Sequence, residues 1–273
     1  MGKLHVASRE NNEMTSLVTS YKILTSNPDK TAARIASQPE AAREIAYYQA
    51  NIGKVKTIDD LLKDQRLFAF AMKAFGLGDM VYAKAFMKKA LQEGTDSANS
   101  FSIKLADPRF RSFVNSFNFK LLGTATTTTD QVTKGTITNY IENQMEEQAG
   151  NQSDGLRLAL YFKNNVGNIS STYGILGNAA IYQVVRTALN LPQSLSRANI
   201  DTQAKLIDSK LNLADLKDPK KLEAFITRFL SLYEIQQGGT GGARPLLSLF
   251  SGRGVTVDMN TILSLQSIKK FGN

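Results

Sequence analysis

The feature that most constrains this chain is an apolar pattern that occurs twice. Offset by 114 residues, two stretches align without a gap: Tyr48 falls on Phe162, Ile52 on Val166, Gly53 on Gly167 and Val55 on Ile169. The match continues through Leu61 on Ile175, Leu62 on Leu176, Asp64 on Asn178 and Leu67 on Ile181. It closes with Phe70 on Val184, Ala71 on Val185, Ala74 on Ala188, Phe75 on Leu189 and Leu77 on Leu191. A second block follows in the same order, with Asp107-Pro108 on Asp218-Pro219 and Phe110, Phe113, Val114 and Phe117 on Leu222, Phe225, Ile226 and Phe229. The matched positions recur in steps of three and four, the period of a helix that buries one face. The matched residues are those a core requires, and positions such as Lys54 against Asn168 differ. The pattern therefore predicts an all-α protein of two tandem, pseudo-repeated helical modules.

Helix punctuation agrees with that reading. Asn27-Pro28, Gln38-Pro39, Asp107-Pro108 and Asp218-Pro219 place proline at the first helical position, where its missing N–H costs nothing. Thr57-Ile58-Asp59-Asp60 has the form of a capped start, with acidic groups at the positive end of the helix dipole. Gly76 and Gly78 end one helix, and a restart at Asp79 would carry Val81, Ala85, Phe86 and Leu91 inward. Gly53 and Gly167 are expected to hold left-handed C-terminal positions. The run from Thr124 to Thr129 has no helical pattern and reads as an exposed connector. A polar helix is expected over about Asp130 to Gln148, and Leu156 to Phe162 is apolar nearly all round. The expected divisions are a flexible leader over 1–14, modules over 15–122 and 130–236 joined by 123–129, a Gly-rich linker over 237–254, and an amphipathic tail helix over 255–273.

Composition narrows the chemistry. Cysteine is absent, which removes disulfides, thiolate nucleophiles and Cys-ligated metal sites. Its absence also suits a chain that passes an export channel unfolded. The single histidine, His5, lies in the polar leader, so Ser–His–Asp chemistry and histidine metal sites are not available within one chain. No apolar run is long enough to span a bilayer, and the N-terminus lacks the continuous apolar segment of a cleaved secretory signal. Two locations remain open: the cytoplasm, or export without a cleaved signal.

Net charge is +9 and unevenly placed. Residues 1–120 carry 18 Lys/Arg against 12 Asp/Glu, whereas residues 121–235 carry 11 of each. Lys84, Lys88 and Lys89 form a basic face beside Tyr82 and Phe86, a patch able to meet phosphates, although the two aromatics fall on the apolar stripe. The Gly238 to Gly242 run lacks the strand and lysine of a phosphate loop and reads as a linker. The adjacent pairs Asp59-Asp60 and Glu146-Glu147 point about 100° apart on a helix, so neither pair converges on one ligand. No set of residues is equipped for catalysis, and neither cofactor, metal nor small-molecule substrate is expected.

The tail is the most suggestive element. Asp258 caps a segment with Met259, Ile262, Leu263, Leu265, Ile268 and Phe271 apolar and Lys269-Lys270 at its end. A helix of that length is marginal in water without something to pack on. Docking on its own module, on a second copy or on a partner protein would each supply that surface.

Several blocks also resemble a known family. They are Tyr47 to Asp60 (YYQANIGKVKTIDD), Ala71 to Leu77 (AMKAFGL), Leu156 to Phe162 (LRLALYF), Asp218-Pro219 and Arg228-Phe229-Leu230. Together they resemble the alphaproteobacterial family called domain of unknown function 1217, over roughly residues 15–236. That family has no established activity, and no catalytic residues carry over. Its members are often encoded among flagellar genes, so the resemblance implies a role in flagellar structure or assembly, with flagellar components or a second copy as partners. The alternative expectation is a basic helical module for nucleic acid or anionic membrane.

Overall fold

The computed structural model describes residues 15–237 other than Ala106. The leader, nearly all of the Gly-rich linker and the tail lie outside the described residues. Among the described residues fifteen α-helices run in order: α1 (Leu17–Thr25), α2 (Pro28–Ala36), α3 (Pro39–Asn51), α4 (Ile58–Lys63), α5 (Gln65–Ala74), α6 (Lys84–Glu93), α7 (Phe101–Lys104) and α8 (Pro108–Ser116). They continue with α9 (Phe119–Leu122), α10 (Thr136–Gln152), α11 (Asp154–Asn165), α12 (Thr172–Leu176), α13 (Ala179–Ala188), α14 (Ile200–Asp208) and α15 (Pro219–Gln236). No strand occurs among the described residues, so the fold is all-α.

Most of the caps read from the sequence form. Asn27 accepts from the Lys30 N–H at 3.0 Å, ahead of Pro28. Thr57 and Asp60 make a reciprocal capping box, which satisfies two otherwise orphaned donors. Asp107 and Asp218 both cap helices whose first residue is proline. Gln38 makes no cap; its side-chain amide instead bonds that of Gln148 on α10.

The order of local elements recurs at the same offset. The 3-10 turns Ile52–Lys54 and Val166–Asn168 follow α3 and α11. Thr57 and Ser171 cap α4 and α12, and Asp64 and Asn178 cap α5 and α13. The Asn51 amide donates to the Tyr47 carbonyl at 2.8 Å, and the Asn165 amide to that of Tyr161 at 2.9 Å. The helices α5 and α13 end alike: Leu77 N–H donates to Met72 O, and Leu191 N–H to Arg186 O. Gly76 at φ +69° and Asn190 at φ +52° stand at equivalent places in these two reversals. Asn190 is the one described non-glycine residue with positive φ.

Gly53 and Gly167 correct an expectation. Neither has positive φ, and a Cβ on either would meet nothing within 4 Å. The chain there tightens into a 3-10 turn and leaves in an extended conformation rather than reversing, so the backbone makes no demand for glycine. Positive φ occurs instead at Gly76, Gly94, Gly123 and Asn190 among the described residues. The restart expected at Asp79 is a 3-10 turn, Gly78–Met80. α6 begins only at Lys84 and buries Met87, Ala90 and Leu91, leaving Ala85 exposed.

Two apolar cores form, but the chain is shared between them differently from the expected division. The first gathers Tyr48, Leu61, Phe68, Phe70, Phe113 and Phe117, and also Val132 and Tyr140 from beyond the Thr-rich stretch. Tyr48 stacks on Phe70 at 4.4 Å and Phe70 on Tyr140 at 4.2 Å, while the Tyr48 hydroxyl donates to the Val132 carbonyl. The second core gathers Phe162, Ile181, Val184, Phe229 and Leu230, together with Tyr21 of α1. α1 thus crosses from the start of the chain to pack on α11 and α15. α10 is the spine: Ile137, Tyr140 and Ile141 serve the first core, and Met145 and Ala149 the second.

The Thr-rich stretch is exposed only in part, at Thr124, Ala125 and Thr128. Gly123–Thr128 is a 3-10 helix, with Thr126 and Thr127 fully buried. The Thr127 hydroxyl donates to the Val55 carbonyl at 2.6 Å and that of Thr126 to Gly123 O at 2.8 Å. A threonine whose hydroxyl is satisfied by backbone can be buried at little polar cost, and its methyl group then packs like that of valine.

Candidate functional site

The residues singled out in the sequence do not assemble into one site. Met259, Ile262, Leu263, Leu265, Ile268 and Phe271 lie outside the described residues. The basic patch is divided among the chain's own acceptors. Lys84 Nζ donates to the Leu62 carbonyl at 2.8 Å, Lys88 pairs with Asp59 at 2.6 Å, and Lys89 lies over the Phe101 ring at 4.8 Å and 4.0 Å from Glu93. Tyr82 is not on the apolar stripe but 80% exposed, whereas Phe86 packs edge-on against Phe101 and Phe110. Asp60 sits in its capping box, where backbone N–H groups hold its carboxyl below the usual range. Glu146 and Glu147 diverge: Glu147 faces Lys73 and Gln144, and Glu146 turns inward.

The inward turn of Glu146 leads to a polar cleft of about 300 Å³ where the two cores meet. One wall is α10, contributing Glu142, Asn143 and Glu146. The other walls come from Arg109 at the start of α8, Arg157, Tyr161 and Asn164 of α11, and Asn178 at the start of α13. The polar lining is braced. Asn164 donates to Glu146 at 2.9 Å, Asn178 donates to the Tyr161 hydroxyl at 2.9 Å, and Arg109 is clamped by Asp107 and by the Gly76 carbonyl.

The electrostatics of the cleft follow from that bracing. Burial pushes the Glu146 carboxyl up to about 7; the Asn164 hydrogen bond and Arg157 oppose this, and Glu142 adds to it. Burial also raises Glu142. Burial acts on Asp107 in the same direction, but its hydrogen bonds from Arg109 outweigh it and the net shift is downward. The cleft is therefore lined by an arginine firmly paired outside it with Asp107 and by a carboxyl, Glu146, able to exchange a proton near neutrality.

Sequence reasoning missed this cleft because α10 looks like a solvated polar helix. The available signal was the spacing of Asn139, Glu142, Asn143 and Glu146, which places them on one helix face. Their partners come from α8, α11 and α13, and no sequence pattern joins them.

Fold and cleft together define an all-helical protein with two cores on a shared spine helix. The family model described as protein of unknown function (DUF1217) matches residues 74–222, more than half of the chain, and the chain belongs to that family. It is also similar to the X-ray crystal structure of a structural-genomics target protein from Agrobacterium tumefaciens. The two share 40% sequence identity with a TM-score of 0.76, over 86% of this chain and 98% of that one. No curated protein matches the chain. No described helix is long and apolar enough to cross a membrane.

Proposed function

We propose that this protein acts without catalysis, through protein–protein contacts, as a structural or assembly component of the bacterial flagellum. The flagellar part rests on what the family resemblance implies. The contact part rests on one observation at the α12–α14 surface. Tyr173 is 54% exposed, yet its hydroxyl is held by Asp201 at 2.8 Å, and Ile200, which precedes Asp201 in the chain, is 53% exposed. An exposed aromatic ring already held by a hydrogen bond loses little side-chain entropy when a partner covers it, the property that favours tyrosine as an interface anchor. The nucleic-acid reading loses support, because the three lysines it needs are engaged within the chain.

Fractionation tests the reading. The full chain is expected with purified flagella or in the medium, or bound to flagellar components in cytoplasmic pull-downs. Tyr173→Ser with Ile200→Ser, or removal of residues 255–273, should weaken that association while leaving the helical circular dichroism intact. Wild-type protein that captures no flagellar component from any fraction would end the proposal.

A further inference from the structure

On the outer side of α13 lies a shallow basin of about 600 Å³ whose lining includes Tyr182, Arg186, Gln193, Ser194 and Arg197. It is built from two short elements. Tyr182 and Arg186 are one turn apart on α13, and Asn190 reverses the chain so that the 3-10 helix Gln193–Arg197 returns beside them. No carboxylate lines the basin, and neither Arg186 nor Arg197 makes an ion pair among the described residues. The Tyr182 hydroxyl is buried and has no hydrogen-bond partner, the one such side-chain polar atom among the described residues. A buried donor left unsatisfied costs free energy that a bound acceptor recovers.

The equivalent positions of the first half show what this face need not have been. Offset by 114 residues, Tyr182 corresponds to Phe68 and Arg186 to Met72, both wholly buried in the first core. Two core positions of one helix have become a phenol and a guanidinium beside open space in the other.

We propose that this basin binds a phosphoryl group. Arg186 and Arg197 supply the charge, the hydroxyl of Ser194 is available for one hydrogen bond, and the Tyr182 hydroxyl, enclosed against the core in this structure, donates another once its ring turns towards the basin. A phosphoryl group matches this donor set better than a carboxylate does: it has three terminal oxygens to a carboxylate's two, and two guanidiniums with a hydroxyl fill them. Sulfate shares this chemistry and competes. The soluble and lipid-borne forms of the group are distinguished by the test.

The full chain is titrated with inorganic phosphate at constant ionic strength set by chloride, with thermal unfolding and calorimetry as readouts. Wild-type protein should show a saturable rise in Tm, since a ligand that binds only the folded state stabilises it. Arg186→Gln and Arg197→Gln should each weaken phosphate binding by about tenfold or more, the scale of a lost charge-assisted hydrogen bond. Tyr182→Phe should weaken it less, with the fold unchanged by circular dichroism. Co-sedimentation with phosphatidic acid vesicles, arginine-dependent and stronger than with phosphatidylcholine, assigns the group to lipid; a response to soluble phosphate alone assigns it to a solute. A wild-type response to phosphate no greater than to chloride, or equal responses from all the variants, overturns the proposal.

Discussion

Helices α5 and α13 are both ten residues long, start at equivalent caps and end in the same reversal, yet they are buried to different depths. In α5, Leu67, Phe68, Phe70, Ala71, Met72 and Ala74 are all buried. In α13 the positions of Leu67, Phe70, Ala71 and Ala74 remain buried as Ile181, Val184, Val185 and Ala188, but those of Phe68 and Met72 do not. The spine helix α10 packs on α5, whereas α13 lies against α11, α12 and α15. The shared stripe is what either helix needs to hold its own core. The additional apolar positions report how many sides of the helix are enclosed.

That comparison breaks most sharply by exchanging one pair. Met72→Arg places a guanidinium at a site with no solvent access, and buried charge without a partner is among the few substitutions that cost about 4 to 5 kcal/mol. Arg186→Met at the matching position should change stability by no more than about 0.5 kcal/mol, because the site is only half-buried and unpaired. Urea unfolding followed by circular dichroism measures both. Equal losses would mean that the two faces are enclosed alike.

The spine supplies the next largest effect. The Glu146 carboxyl is pushed up to about 7 in the fold from an ordinary value near 4.5, so between those limits the folded state binds more protons than the unfolded one. Stability from this group is therefore complete below about pH 4.5, falls as pH rises towards 7, and is flat above. Glu146→Gln keeps an acceptor for Asn164 and removes the titration. It should stabilise the protein by up to about 3 kcal/mol at pH 8 and by almost nothing at pH 4.5. A variant equally stabilised at both pH values would show that the cleft does not desolvate this carboxyl.

A second pair tests how closely helices approach in each half. Gly155 of α11 corresponds, at the same offset, to Ala41 of α3, which is 2% exposed. A Cβ on Gly155 would lie 2.6 and 2.8 Å from Tyr233 ring carbons and 3.1 Å from Leu17. Alanine is the better helix former, yet Gly155→Ala should lose about 1 to 2 kcal/mol because the ring and α1 must move. Ala41→Gly should lose about 1 kcal/mol through propensity alone. A stabilised Gly155→Ala would show that α1 and α15 have room to move away from α11.

What was legible follows the same division. Periodic apolar residues and caps followed by proline announce the helices, because a helix needs only local sequence to declare its period and its ends. Tyr21 could not be assigned to the second core, since a nine-residue helix declares an apolar face but not the element that covers it. Thr126 and Thr127 misled because polar composition signals exposure only when no carbonyl stands ready to accept the hydroxyl. Glu146 was hidden for a related reason: its burial is created by α11, and its own helix carries no sign of it.

The smallest expected effect lies at the two reversals. Gly76 and Asn190 both have positive φ, and a Cβ on Gly76 would find ordinary contacts at 3.5 Å or more, so only the backbone angle favours glycine there. Gly76→Ala should therefore cost about 1 to 2 kcal/mol, the penalty of a left-handed residue with a Cβ. Asn190→Gly relieves a smaller penalty, since asparagine tolerates that region, and it adds freedom to the unfolded chain, so the net change should stay within a few tenths of a kcal/mol. Differential scanning calorimetry of the two variants resolves the contrast. If Asn190→Gly were as costly as Gly76→Ala, the asparagine side chain, and not the backbone angle, would be what this reversal requires.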